Sequence, residues 1–213
     1  MSSSSLIDIV RSRVSVRRYD PRLVPLEDIL SAVEAARLAP SAENLQPCRY
    51  VVATDPSVLD RLSRTCFSGI YLPTRFAARA PAIVAVCSSR MRLIQAKASD
   101  ELDCGIAGEH LVLRATELGL ATCWIEWFSR RGARRALGIP ATMKVVALIA
   151  LGYPEAQARP RQRVRRPLSS IVWLDQWGRS YPGAEKELTR PPSGSLPVAG
   201  LDTSSTRRPS KMK

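Results

Sequence analysis

At 213 residues with 45% hydrophobic content and no internal repeat, the chain carries enough apolar material to bury one full core, which excludes a fibre or a repeat array. The formal net charge of +13 draws the surface toward anions: nucleic acid, anionic membrane or phosphorylated ligands. The longest apolar stretches, such as "VVALIALGY" (Val145 to Tyr153), fall far short of the roughly 20 residues that span a bilayer, and "MSSSSLIDIVRSR" lacks the pattern of a signal peptide, so the expected compartment is the cytoplasm.

In chain order, Leu6, Ile9, Val10 and Arg13 stand at helical spacing and predict a first helix over about 6–13. A second is expected from Pro25, a good first-turn residue, to Leu38, with Pro40 as its stop. "RYVVAT" reads as a strand. "DPSVLDRLSRTC" reads as a helix capped by Asp55 with Pro56 in its first turn. Residues 67–79 give no clear pattern. "PAIVAVCSS" is dense in Val, Ile and Ala on both faces, which predicts a buried strand. The longest helix is expected over about 100–118, ending at Gly119. Its Cys104, Gly105, Ala107, Gly108 and Ala115 would let another element approach closely. "ATCWIEW" follows as a strand, "SRRGARRAL" as a basic helix and "KVVALIALGY" as a third buried strand. Interleaved helices and apolar strands argue for α/β or α+β with a covered sheet. After Tyr181 the composition turns to Pro, Ser, Gly and Thr, so 184–213 is expected to be a disordered tail behind a domain over 1–183.

The inventory excludes several chemistries. One histidine, His110, rules out a His-ligated metal site and reads as a structural or surface residue of the long helix. The cysteines at 48, 66, 87, 104 and 123 are odd in number and never in CxxC spacing, which fits reduced thiols. No GxGxxG, GxxxxGK[ST] or GxSxG is present. Chemistry here must come from a bound cofactor or not at all.

What remains is basic and small polar. "RSRVSVRRYDP" sets Arg13, Ser15 and Arg17 two apart, so an extended backbone points all three to one side. Arg161, Arg163 and Arg165 repeat that spacing within "ARPRQRVRRP", a run with five Arg between 159 and 166. Guanidinium forks suit phosphate oxygens. The residues alone leave three readings open: solvated basic edges, a site for a small phosphorylated ligand, or a nucleic-acid surface.

"RSRVSVRRYDP", then "APSAENLQP" and a strand, then "ELGLATCWIEWF", "LGIP", "VVALIALGYP" and "RVRRPLSSIV" together resemble the FMN-dependent nitroreductase family over about 6–173. The resemblance implies an α+β fold with a central, mostly antiparallel sheet wrapped by helices, and an interlocked homodimer with FMN at the subunit interface. It places Arg13, Ser15 and Arg17 in the first FMN-binding motif, with Arg13 toward the phosphate and Arg17 toward the pyrimidine side. A cation there stabilises the negative charge of the reduced flavin. Pro40, Ser41, Ala42 and Asn44 match the segment that reaches the flavin of the partner. Glu126 and Trp127 fall where the family sets backbone against the ring, Arg163 and Arg165 match its C-terminal phosphate ligands with Arg166 as a substitute, and Arg75 is a candidate second cation near the ring. Two departures stand out. Cys48 replaces the usual Trp after "QP", a change expected to alter packing only, and Trp127 replaces a frequent Gly, which would narrow the pocket.

The expected activity is NAD(P)H-dependent reduction of nitroaromatics, quinones or similar electron-poor acceptors by ping-pong hydride transfer through flavin N5, with no side chain required as nucleophile. The alternatives are a different flavin reaction, reductive dehalogenation or flavin-modifying oxidation, and a basic nucleic-acid-binding protein on a degenerate flavin fold. The last would need exposed aromatics among basic residues, and the only cluster is Trp124, Trp127 and Phe128 near Arg130 and Arg131. Trp124 is expected in the core, and Trp173 and Trp177 in an arm on the partner subunit.

Overall fold

The structure, a computed structural model, describes residues 5–89, 99–155 and 164–183, the side chains of 99 and 100 excepted. The chain divides into two compact units, 1–160 and 161–213. In the first, strands β1 (Cys48–Ala53), β2 (Ala82–Ser89), β3 (Ala121–Ile125) and β4 (Met143–Gly152) form one antiparallel sheet in the order β1-β2-β4-β3. Helices α1 (Leu6–Ser12), α2 (Leu26–Arg37), α3 (Pro56–Cys66), α4 (Ser99–Glu117) and α5 (Arg130–Leu137) complete the α+β unit.

Alternation along the central strand explains the layering. Ala82, Val84 and Val86 of β2 pack with Ile29, Ala32 and Ala36 of α2 and with Leu111 of α4. Ile83, Ala85 and Cys87 face the other way, into a core with Leu59 and Leu62 of α3, with Ala133 of α5 and with Phe128, which precedes that helix. Successive side chains point to opposite faces, so a strand covered on both sides is apolar throughout. Burial pushes the Cys66 and Cys87 thiols up to about 11.

β4 hides an irregularity that its uniform apolarity conceals. Val145 and Leu148 share one core while Val146 and Ile149 share the other, because the register slips between Val86 and Cys87. One extra residue in a bulge turns the following side chains over.

The helix ends follow local chemistry. The Asp55 carboxylate accepts from the Ser57 and Val58 amides at 2.7 and 3.3 Å. Ser129 Oγ accepts from the Gly132 amide at 3.1 Å, and Gly138 ends α5 in the left-handed region at φ 66°. Pro25 is the cap of α2 rather than a first-turn residue. The stretch left open in the sequence contains a 3₁₀ helix, Gly69–Arg79.

In the second unit a short 3₁₀ turn, Leu168–Ser170, precedes Trp173 and Trp177, whose ring centroids lie 4.0 Å apart. The expected tail over 184–213, together with Arg161 and Arg163, lies outside the described residues. Among those residues no helix is long and apolar enough to cross a membrane.

Candidate functional site

The open edge of β3 is covered by the segment that leaves α1. Ser15 forms a parallel bridge with Thr122, and the Val16 amide donates to the Thr122 carbonyl at 2.9 Å. Extended backbone at this edge gives Arg13, Ser15 and Arg17 the spacing that sends alternate side chains to one side. Arg13 is largely buried at 17% side-chain exposure, with its Nε 3.7 Å from Glu109 of α4. The Arg17 guanidinium carbon sits 5.5 Å from the Phe76 ring centroid, a cation–π contact. Among the described residues no group bonds to the Ser15 hydroxyl.

The end of β3 meets the same region. Trp124 Nε1 donates to Glu126 at 2.8 Å, and Thr74 Oγ1 donates to the Trp127 carbonyl at 2.9 Å. Tyr71 meets the Trp127 ring edge-on with centroids 6.3 Å apart. Tyr71, Thr74 and Phe76 belong to the 3₁₀ helix, so the exposed Arg75 is carried between a residue tied to Trp127 and one beneath Arg17. The structure thus gathers Arg13, Ser15, Arg17, Glu126, Trp127 and the helix of Arg75 around β3. Of the aromatic cluster, Phe128 is buried and Trp124 half-buried, leaving Trp127 exposed at 51%.

Trp124 owes its position to Gly108, where a Cβ would overlap the tip of the indole. Replacing Gly108 by alanine is expected to displace the ring, strain its bond to Glu126 and cost about 1–2 kcal/mol of stability. Thermal unfolding and tryptophan emission would report both effects.

Pro40, Ser41, Ala42 and Asn44 form a second group. α2 ends at Arg37, and the chain then makes a 3₁₀ turn over Ala42–Asn44. Glu43, Asn44 and Gln46 adopt φ of 49°, 56° and 47°, a region that costs an ordinary residue roughly 1 kcal/mol or more. Two side chains hold this shape: Ser41 Oγ accepts from the Gln46 amide at 2.9 Å, and both Asp103 carboxylate oxygens lie 3.3 Å from the Ala42 amide. Asp103 is 4% exposed and was not singled out from the sequence. The available signal was its spacing: Asp103, Ala107, Leu111 and Ala115 recur every four residues, which puts a carboxylate on the buried stripe of α4.

These two groups do not converge within the chain. Asp103 and Glu109 are six residues apart on α4, a rotation of roughly 240° about its axis, so the helix presents them on different sides. Arg163 lies outside the described residues, and Arg165 and Arg166 are exposed in the second unit. A cavity of about 620 Å³ lined by Arg130, Arg131, Arg134, Arg135 and Lys144 is formed by none of the expected site residues.

The sequence profile of the Nitroreductase family matches residues 10–72 and 71–153. A protein of Archaeoglobus fulgidus, named provisionally as a NADH dehydrogenase/NAD(P)H nitroreductase, is 32% identical over 153 residues, 70% of this chain and 85% of the relative. A nitroreductase family protein of Clostridium difficile is 27% identical in its crystal structure, with a TM-score of 0.69 over 81% of this chain and 99% of the other. An FMN-dependent nitroreductase from another strain of that species is 26% identical, with a TM-score of 0.63 over 72% and 90% of the two chains. The profile match over most of the chain, the similarity to the archaeal relative and the shared antiparallel fold show that the chain belongs to the nitroreductase family.

Proposed function

We propose that the chain is an FMN-dependent oxidoreductase that uses NAD(P)H to reduce nitroaromatics, quinones or similar electron-poor acceptors. The donor set beside β3 carries this reading: two guanidiniums flank a hydroxyl that has no partner among the described residues, next to the Glu126–Trp127 backbone. That set fits FMN, which presents a phosphate, a polar pyrimidine edge and a flat apolar ring. When bound, FMN supplies two-electron transfer from the nicotinamide to the acceptor in successive half-reactions. Arg13, held against α4, pairs with the phosphate, and Ser15 donates to the ligand's polar edge. Arg17, exposed and resting against Phe76, places a positive charge beside the ring, where a cation favours the electron-rich state. Tyr71 and Trp127 form an aromatic wall that excludes water, and Arg75 offers a cation at its rim.

The chain acts as a homodimer in this reading. Pro40, Ser41, Ala42 and Asn44 serve the flavin of a second copy, which agrees with their anchor lying on a different side of α4 from Glu109. Purified protein mixed with FMN and freed of excess should be yellow, bleach with NADH or NADPH without air, and recover its colour with a nitroaromatic or quinone. Protein that stays colourless after FMN is supplied would overturn the proposal.

A further inference from the structure

Cys48 opens β1 and Cys104 lies on the buried stripe of α4, 56 positions later, yet their sulfurs are 3.4 Å apart. Cys104 is fully buried, whereas Cys48 is half-buried and lines a cavity of about 100 Å³ with Ser41, Gln46 and Asp103. A disulfide has sulfurs about 2.05 Å apart, so closure needs a movement of about 1.4 Å.

The two thiols have different chemical roles. The hydrogen bond with Cys104 lowers the Cys48 thiol below its ordinary value, helped by Tyr50 and Arg49 and opposed by burial and by Asp103. Cys66 and Cys87 are pushed the other way, so they stay protonated. The thiolate is the nucleophile, which makes Cys48 the reactive member and Cys104 the resolving one.

We propose that Cys48 and Cys104 form a reversible dithiol–disulfide site that takes a hydroperoxide as its oxidant. The Cys48 thiolate attacks one peroxide oxygen, the O–O bond breaks, and water leaves after protonation, giving a sulfenic acid at Cys48. Cys104 then loses its proton and attacks the Cys48 sulfur, forming the S–S bond as a second water departs. Two thiols and one hydrogen peroxide become one disulfide and two waters: the sulfurs are oxidised and the peroxide oxygens reduced. A dithiol reductant reverses the bond by exchange. Cys104 directly follows Asp103, which holds the Ala42 amide, so the cross-link would fasten α4 to the base of the Ser41–Pro47 loop. No step uses flavin, so this site goes beyond the flavin reading and does not depend on it.

The test treats reduced, FMN-supplied full chain with stoichiometric hydrogen peroxide. Intact mass should fall by about 2 Da, the loss of two hydrogens on disulfide formation, and a non-reducing peptide map should join the Cys48 and Cys104 peptides. Dithiothreitol should restore the original mass. Cys48→Ser, at a half-buried position, should abolish the loss, as should Cys104→Ala. An unchanged mass, oxygen added at Cys48 without a cross-link, or disulfides between chains would each overturn the proposal.

Discussion

Replacing Arg13 by alanine is expected to weaken FMN binding on the order of 100-fold with little change in folding stability. Arg13 is the cation beside β3 whose surroundings best prepare it for phosphate. Its side chain is 17% exposed, and its carboxylate neighbour Glu109 is 3.7 Å away and itself half-exposed. A guanidinium fork on phosphate makes charge-assisted bonds, and losing a pair of them costs roughly 3 kcal/mol, which is about two decades in affinity. The ion pair with Glu109 is partly solvated, so its loss costs under about 1 kcal/mol of stability. Arg13→Lys retains the charge without the fork and should recover part of the affinity. Fluorescence titration of FMN into each protein, beside thermal melts, separates binding from folding. An Arg13→Ala protein that holds FMN as wild type does would remove Arg13 from the phosphate site.

Most element positions were legible because their signals are local. Asp55-Pro56 marks the start of α3, the basic run "SRRGARRAL" covers α5, and the apolar run of β2 declares a strand covered on both faces. The first basic motif was legible for a similar reason, since spacing of two in an extended stretch needs no tertiary information. Its pairing with β3 was not, because a parallel bridge between Ser15 and Thr122 depends on elements far apart in sequence. The β4 bulge left no trace, as residues on both sides of it are apolar whichever face they take. The positive φ values at Glu43, Asn44 and Gln46 also escape sequence reading, because they are imposed by Asp103 and Ser41 and need no glycine. Cys48 was expected to affect packing only. Its nearness to Cys104 arises where α4 crosses β1, a contact that linear cysteine spacing does not encode.

Gly132→Ala tests the opposite face of the sheet and should be among the most destabilising single-methyl additions in the chain. In an isolated helix this change is favourable by about 1 kcal/mol, because glycine has more backbone entropy to lose. Here the added Cβ would overlap the Thr65 carbonyl oxygen and come within 2.6 Å of its carbon and 3.2 Å of the Cys66 amide nitrogen. Those atoms are backbone and cannot rotate away. They are also fixed: the Ser129 amide donates to the Cys66 carbonyl at 3.1 Å, and Thr65 Oγ1 donates to the Gly132 carbonyl at 3.3 Å. The methyl must therefore lever α5 off α3 and open the core around Phe67, Phe128 and Ala133. Overpacking of this kind outweighs the propensity gain and gives a net loss of about 2–3 kcal/mol. For a chain of this size that lowers the unfolding midpoint by roughly 5–10 °C, measurable by calorimetry on the flavin-free protein. A midpoint that rises would mean that propensity governs at Gly132 and that α5 stands farther from α3 than the structure places it.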